Sequence, residues 1–294
     1  MATPNKPPWL KKKFSPLSHN PVKQVLAEAD LHTVCEQACC PNIGECFSKG
    51  TATILILGKI CTRSCRFCAV EHGIPLSPDT KEPRKVALAV KRMGLKYVVI
   101  TSVTRDDLFD GGASQFSETI QVIYSLDQRI RVEVLIPDFE GKRASLADVL
   151  SAQPTVLSHN VETIPRLYPE VRPQAVYKRS LDLLRGSKDI NPQLLVKSGF
   201  MLGLGETEDE VIGVLNDLRE VGCDFLTIGQ YLRPRSDLLP VVRYVHPDEF
   251  ELYRLRGLEI GFKAIASGPF VRSSYNALQL FEYSLRSMVL LPLR

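Results

Sequence analysis

Residues 51–68 read TATILILGKICTRSCRFC, and this stretch decides the fold. Its first part, Thr51–Gly58, is an apolar, β-branched run of strand length. Three cysteines follow at once, so the chain places reactive thiols directly after a buried strand. Similar strand-like runs recur along the chain at Tyr97–Val103, Arg131–Pro137, Thr155–His159, Leu194–Leu204, Asp224–Tyr231 and, more weakly, Phe262–Ser267.

Amphipathic helical patterns lie between these strands. Pro83–Met93 and Ser114–Ser125 carry apolar residues at helical spacing. Glu206–Val221 begins with acidic residues, which favour a helix N-terminus, and Gly222 follows it as a C-cap often does. Strands that alternate with helices predict a parallel α/β fold. The pattern gives about six βα units, fewer than the eight of a closed barrel, so we predict a partial (β/α)6 TIM-type barrel and, as second choice, a doubly wound sheet.

Composition narrows the functional classes. The 294 residues are 44% hydrophobic and 24% charged, and the net charge is +4, which is too mild to argue for nucleic-acid binding. No apolar run approaches the ~18–20 residues that cross a membrane. The N-terminus has no apolar signal-peptide region, so we expect a cytoplasmic protein whose cysteines stay reduced.

The residues that follow the predicted strands share a polar, glycine-bearing or cysteine-bearing character. In parallel α/β folds the chemistry gathers at the carboxyl ends of the strands, so we expect these segments to form one site. They are Cys61–Cys68, Arg105–Gly112, Asp138–Gly141, Asn160–Thr163, Gly203–Glu206 and Tyr231–Arg235.

Cys61, Cys65 and Cys68 form a C-x3-C-x2-C motif. Three thiolates can hold three irons of a [4Fe–4S] cluster and leave the fourth iron open. S-adenosylmethionine (SAM) can chelate that iron through its amino and carboxylate groups, and one electron then cleaves SAM to an adenosyl radical. A structural zinc site is the alternative, but it usually needs four N or S ligands, and only His72 lies nearby as a fourth.

Cys35, Cys40 and Cys46 form a second triad, C-x4-C-x5-C, in a loop-rich segment before the first strand. Beside the first triad it suggests a second cluster. Cys39 adjoins Cys40 and is interpreted as a bystander, because adjacent side chains rarely bind one metal centre well. Cys223, at a helix end, is interpreted as a small core residue.

These motifs lead to a family. The stretch CEQACCPNIGECFSKGTATILILGKICTRSCRFCAV (Cys35–Val70) closely resembles the signature of the lipoyl synthases, which belong to the radical SAM class. The resemblance covers roughly residues 30–276 and continues in TSVTRDDLFDGGA (Thr101–Ala113), VEVLIPDF (Val132–Phe139), HNVETIPRLYPEVRP (His159–Pro173), KSGFMLGLGET (Lys197–Thr207), GQYLRP (Gly229–Pro234) and SGPFVRSSY (Ser267–Tyr275).

The resemblance implies a reaction and a set of partners. Lipoyl synthases use SAM and two [4Fe–4S] clusters to insert two sulfur atoms, at C6 and C8, into an octanoyl chain carried on a lysine of a lipoyl carrier domain. One SAM is consumed for each sulfur, and the auxiliary cluster is expected to donate the sulfur. The implied partners are a glycine cleavage H protein or a 2-oxoacid dehydrogenase E2 component as carrier, a ferredoxin or flavodoxin as electron donor, and an iron–sulfur carrier for cluster repair.

The resemblance also implies site residues. Ser274, with Ser273 as the alternative, would be the fourth ligand of the auxiliary cluster, where a hydroxyl is a weak ligand for soft iron. A capped turn is the other interpretation of this serine pair. Six polar side chains near strand ends are candidate SAM or substrate contacts: Thr101, Ser102, Arg105, Asp107, Glu133 and Asn160. For Thr101–Asp107, helix capping and ion pairing are the alternatives.

Four segments are expected: a flexible, proline-rich basic arm (1–22), an auxiliary-cluster segment (23–50), the radical SAM partial barrel (51–261) and a C-terminal segment with the RSSY motif (262–294). Two other functions compete with lipoyl synthesis. One is another radical SAM enzyme that inserts sulfur or modifies RNA, and the other is a zinc-bound interaction module. The second cysteine triad placed before the SAM motif, together with RSSY, favours lipoyl synthesis.

Overall fold

The computed structural model describes residues 5–11 and 21–289. Within these ranges a single eight-stranded sheet carries the fold, in the order β1-β2-β5-β6-β7-β8-β9-β10, and β3 pairs with β4 apart from it. The strands are β1 (His32–Thr33), β2 (Thr53–Ile56), β3 (Ile60–Cys61), β4 (Glu71–His72), β5 (Tyr97–Ser102), β6 (Arg131–Leu135), β7 (Val156–Ser158), β8 (Leu195–Leu202), β9 (Phe225–Gln230) and β10 (Ala264–Gly268).

Helices follow the strands of the sheet. They are α1 (Pro21–Glu28), α2 (Val34–Gln37), α3 (Ile43–Ser48), α4 (Glu82–Arg92), α5 (Ala113–Leu126), α6 (Arg143–Ser151), α7 (Tyr168–Val171), α8 (Tyr177–Ile190), α9 (Glu208–Glu220), α10 (Pro247–Ile260) and α11 (Ala277–Val289). In the described part of the chain, none of these helices is both long and apolar enough to span a bilayer.

The sheet is parallel from β2 to β10, and only β1 runs antiparallel to its neighbour. All seven strand-like runs of the sequence are strands of this sheet, so the prediction of a parallel α/β fold is confirmed. Both faces of the strands are buried, which explains their nearly continuous apolar sequences. The outer face packs on the helices, as Ile100 and Val134 do. The inner face packs on α11, where the rings of Tyr97 and Phe281 lie 5.7 Å apart.

The N-terminal segment connects the two edges of the sheet. At one edge, β1 pairs with β2. At the other, the loop after β10 is tied to the same segment, because Asn42 Nδ2 donates to Phe270 O at 2.7 Å and the Tyr275 hydroxyl donates to Glu45 Oε1 at 2.9 Å. The sheet is therefore a partial barrel whose opening is spanned by residues 33–48.

The predicted flexible arm is wrong in part. Pro8–Leu10 forms a short 3-10 helix with Leu10 fully buried. The Trp9 ring packs edge-on against His246, with ring centroids 4.9 Å apart. This turn packs through the two apolar side chains that follow its Pro-Pro pair. The composition of the arm, rich in proline and lysine, does not reveal this packing. Lys12 and Lys13 lie outside the described residues.

Candidate active site

The first cysteine triad lies on the loop that follows β2. Cys61 ends β3, which pairs with β4 so that Cys61 stands opposite His72. The Gly73 amide donates to Cys61 O at 3.0 Å and closes this small turn. The side chain of His72, considered above as a fourth zinc ligand, is exposed.

Backbone amides surround the Cys61 sulfur. Thr104 N lies 3.3 Å and Arg63 N 3.4 Å from Cys61 Sγ. The neighbouring Thr62 fixes the loop after β5, since both its amide and its hydroxyl donate to Thr104 O at 3.0 Å. Amide groups that donate to a thiolate stabilise its charge and tune a cluster bound to it.

A buried charge network anchors the same loop. The Arg63 guanidinium binds Asp106 at 2.7 and 2.9 Å and Asp138 at 2.6 Å. Arg179 reaches the second oxygen of Asp138 at 3.2 Å. Burial acts to raise the pKa of Asp138, but the hydrogen bond and charge of Arg63 outweigh it and hold that pKa well below its usual range. The loops after β2, β5 and β6 are thus locked together at the carboxyl ends of their strands.

Two charged residues that the sequence did not single out lie beside Cys65 and Cys68. Glu162 is close enough to raise the pKa of both thiols. Arg172 is close enough to lower the pKa of Cys65. Burial raises the pKa of Glu162, and Arg172 opposes this. Glu162 has a left-handed backbone, with φ 64°, which no sequence pattern foretells for a glutamate. The segment His159–Pro173 is one of the stretches that resemble the family, but only the structure shows that Glu162 and Arg172 lie near these cysteines.

The second triad lies in the segment that spans the barrel opening. Cys35 is in α2 and Cys46 in α3, while the Cys40 amide donates to Cys35 O at 3.0 Å. Burial is the main cause that raises the pKa of the Cys35 thiol to about 12, and the nearby Cys40 and Cys46 act in the same direction. Cys39 is exposed, while Cys223 is fully buried as the core residue predicted.

The RSSY segment (residues 272–275) lies against this second triad. Burial lowers the pKa of Arg272, and the nearby Cys40 acts to raise it. Tyr275 binds Glu45, the neighbour of Cys46. The structure therefore brings Ser273 and Ser274, both half-buried, to the cysteine segment about 230 residues away in sequence.

Four of the candidate SAM contacts follow β5 or end it. Thr101 donates to Leu135 O at 2.9 Å, and the buried hydroxyl of Ser102 has no hydrogen-bond partner. Arg105 is fully buried and binds Asp107 with two bonds of 2.8 Å. The hydrogen bonding from Arg105 lowers the pKa of Asp107. The Arg105 side chain is 1% exposed and that of Asp107 37%, so the pair joins the interior to the surface.

The remaining two candidates differ sharply. Asn160 lies after β7, donates to Glu162 at 3.0 Å and keeps a buried side-chain oxygen without a partner. Glu133 is the third residue of β6 rather than at its end, and its oxygens bind Tyr97 at 2.6 Å and Lys197 at 2.7 Å inside the barrel. Its carboxylate is paired with these two side chains, and its contact with SAM or the substrate stays a prediction.

Comparison with known proteins identifies the family. A family model of the radical SAM superfamily matches residues 55–218. A lipoyl synthase of Caldanaerobacter subterraneus subsp. tengcongensis is 54% identical over 275 residues, covering 94% of this chain and 96% of that protein. One of Caldicellulosiruptor bescii is 56% identical over 273 residues, covering 92% and 94%. The chain belongs to the lipoyl synthase family.

Solved structures agree with a radical SAM fold for this family member. Methylornithine synthase matches with a TM-score of 0.54 and 15% identity, over 82% of this chain and 68% of that one. A maturase of the [FeFe]-hydrogenase matches with a TM-score of 0.52 and 14% identity, over 90% and 67%. These likenesses concern the fold, and they confirm the partial barrel.

Lipoyl synthases use SAM and two [4Fe–4S] clusters, and the donor sets here fit them. Each triad offers three soft thiols, the ligands that iron–sulfur clusters take. In residues 5–11 and 21–289, no three His, Cys, Asp or Glu side chains converge on one point as ligands of a single metal ion. Burial raises the pKa of Cys68 to about 12, so the thiols must release protons when iron binds.

Proposed function

We propose that this lipoyl synthase family member inserts sulfur at C6 and C8 of an octanoyl chain bound to a lysine of a lipoyl carrier domain. The single observation that supports this best is the second cysteine triad, which the bonds from Asn42 and Tyr275 bring to the RSSY loop. An enzyme that only cleaves SAM needs one open cluster. A second set of cysteine ligands on the same side as the RSSY loop therefore implies a second chemical role.

The roles of the first triad follow from its surroundings. Cys61, Cys65 and Cys68 would hold the cluster that binds SAM. Thr101, Ser102, Arg105, Asp107 and Asn160 would contact SAM or the substrate. The unpartnered oxygens of Ser102 and Asn160 support this role, because buried polar atoms in proteins normally have partners.

The second triad would hold the auxiliary cluster. Cys35, Cys40 and Cys46 supply three thiolates, and Ser274, or Ser273 beside it, would supply the fourth ligand. With these roles the chain would divide into four segments: the arm (1–22), the auxiliary-cluster segment (23–50), the barrel (51–261) and the C-terminal segment (262–294).

When bound, the first cluster and SAM supply a radical able to abstract hydrogen from an unactivated alkyl carbon, and the second cluster supplies sulfur. The chain's own residues do the rest. The Arg63 network holds the Cys61 loop in place, and the amides at Cys61 stabilise its thiolate charge. Ser274 would be the weakest ligand of the second cluster, because a hydroxyl oxygen binds soft iron less tightly than a thiolate does.

The finer partners are proposals as well. The carrier would be a glycine cleavage H protein or a 2-oxoacid dehydrogenase E2 component. A ferredoxin or flavodoxin would deliver electrons, and an iron–sulfur carrier would rebuild the auxiliary cluster after each round.

Anaerobic turnover tests the function. The enzyme is reconstituted with ³⁴S sulfide, then given an octanoyl-lysine peptide, SAM, a reductant and unlabelled sulfide, and the products are read by mass spectrometry. We expect a doubly thiolated peptide carrying ³⁴S in the first turnover. Absence of any thiolated product would contradict lipoyl synthesis, and a mainly unlabelled product would contradict the auxiliary cluster as donor.

A further inference from the structure

The second triad lies in a segment that carries negative groups and no positive ones. Residues 33–48 contain the three cysteines of that triad and two glutamates, but no lysine or arginine. Lys49, directly after the segment, is paired with Glu45 at 2.8 Å. Three thiolates outweigh the positive charge of a [4Fe–4S] core, so a cluster held here is an anion. A buried anion is stable only beside a positive group, which another part of the chain must supply.

Arg272 is a positive group of the right kind in the right place. Its side chain is half-buried and lies near Cys40. In the described part of the chain no carboxylate is paired with it, and its guanidinium donates to Val271 O, the carbonyl of the preceding residue, at 2.7 Å. Arg63, beside the first triad, binds two carboxylates instead. A guanidinium has several N–H donors, so Arg272 keeps donors for an anion.

The loop that carries Arg272 is held closely against the sheet. Gly229, near the carboxyl end of β9, makes this approach possible, because a Cβ on Gly229 would lie 2.2 Å from Val271 O and 3.3 Å from Nη1 of Arg272. Any side chain there would push the loop away from β9. On the other side, the hydrogen bonds from Asn42 and Tyr275 join the loop to the cysteine segment. Arg272 is thus held between the end of β9 and the second triad.

We infer that Arg272 is the counter-ion of the auxiliary cluster and donates a hydrogen bond to its Cys40 side. This inference rests on the proposed function, which assigns the auxiliary cluster to the second triad. A guanidinium has no lone pair to give, so Arg272 acts on the cluster without being a ligand of it. Its charge stabilises the reduced cluster most, because reduction adds a negative charge. Arg272 therefore raises the reduction potential of this cluster and slows the loss of its iron.

A redox titration tests the charge. The full chain with all three cysteines of the first triad replaced by alanine keeps the auxiliary cluster alone, and EPR follows the reduction of that cluster. In this background Arg272→Gln should make the reduction potential more negative. Arg272→Lys keeps the charge and should stay close to the unsubstituted background. Arg219→Gln is the matched control and should leave the potential unchanged, because Arg219 also donates to a backbone carbonyl, Cys223 O, but at the amino end of β9.

Iron loss tests the same contact without reduction. In excess chelator, Arg272→Gln should lose the auxiliary iron about tenfold faster than the same background without it, as the loss of one charge-assisted hydrogen bond implies. Gly229→Ala should act in the same direction, since it displaces Arg272 and leaves its charge intact. Gly213→Ala, on α9, is the control for this glycine, because an added Cβ there has nothing within 4 Å, and it should not change the rate.

Each other outcome overturns the inference. A potential that is unchanged in Arg272→Gln would show that the cluster does not sense this charge. Equal shifts in Arg272→Gln and Arg272→Lys, or faster iron loss at an unaltered potential, would mean that Arg272 only packs the RSSY loop. An unchanged rate in Gly229→Ala would exclude the close approach at β9 as the means of placing Arg272. A background chain that binds no iron would instead contradict the proposed function, since the second triad would then hold no cluster.

Discussion

The two cysteine triads are held in opposite ways. The Cys61 loop is locked by charges that water barely reaches, since the side chains of Arg63 and Asp138 are 4% and 0% exposed. The second triad sits on short helices, and hydrogen bonds from Asn42 and Tyr275 join this segment to the loop after β10. The first triad is part of the barrel. The second lies in the segment that spans the barrel opening, residues 33–48, which we call the bridge.

This difference matches two different demands. A cluster that cleaves SAM at every turnover must keep its position, and a buried, multiply bonded loop provides that. A cluster that gives up its sulfur must be lost and rebuilt, and the second triad lies outside the buried charge network that fixes the first. The contrast thus supports the auxiliary triad as the source of sulfur in the proposed reaction.

The largest expected effect comes from removing either triad. Cys61→Ala/Cys65→Ala/Cys68→Ala should lower the iron content from ~8 to about 4 per chain and abolish SAM cleavage. Cys35→Ala should still form 5′-deoxyadenosine but no carbon–sulfur bond. Iron analysis and chromatography of the SAM products measure both. SAM cleavage that survives the triple substitution would break the comparison.

The buried anchor should matter more than any exposed ion pair. Arg63→Met leaves Asp138 buried without its main partner, which costs about 3–5 kcal/mol of unfolding free energy. The control, Arg166→Met, breaks the exposed Arg166–Glu210 pair and should cost less than about 1 kcal/mol. Urea unfolding of both variants measures the difference. Equal costs would show that the Cys61 loop is not anchored by its charges.

Acid should loosen the barrel side through His159. Burial lowers the pKa of His159 to about 4, and its ring nitrogens bind Ile136 O and the Ser180 hydroxyl, as expected of a core histidine. An unfolded histidine titrates near ~6.5, so the unfolded chain binds more protons between these values. The unfolding free energy should therefore fall as the pH drops through this window, by about 3 kcal/mol in total.

The variant His159→Gln isolates this effect. Its unfolding free energy should depend less steeply on pH between about pH 4 and pH 6.5 than that of the wild type. Urea titrations at several pH values give the slopes. A wild-type slope in the variant would assign the acid sensitivity to other groups.

The smallest effect is expected at the bridge. Tyr275→Phe removes the hydrogen bond to Glu45 and should cost about 0.5–1.5 kcal/mol. Its clearer sign should be selective: an iron chelator should remove the auxiliary cluster faster, while SAM cleavage by the other cluster persists. Tyr124→Phe, which removes a hydrogen bond from α5 to Gln153 O, is the matched control. Equal rates of iron loss in Tyr275→Phe and wild type would show that this hydrogen bond does not help to retain the auxiliary cluster.

The sequence foretold the strands and the triads because their signals are local. The composition of a run such as Thr53–Ile56 is enough to predict a strand, and the spacing of C-x3-C-x2-C is enough to predict a cluster site. The contact between Arg63 and Asp138 could not be predicted, because nothing in the sequence indicates that two charged residues 75 positions apart are neighbours in the fold. The pairing of Glu133 could not be predicted for the same reason, because its partner Lys197 lies 64 positions away.

The bridge also sets an order of events for making the enzyme. Residues 35–46 are synthesised well before the loop they bind, because Tyr275 lies 230 positions after Glu45. Contacts of such high sequence separation form late in folding. The auxiliary triad must therefore wait, open and reduced, until residue 275 has been synthesised. Iron loading of the two triads should follow that timetable, the barrel triad first and the bridge second.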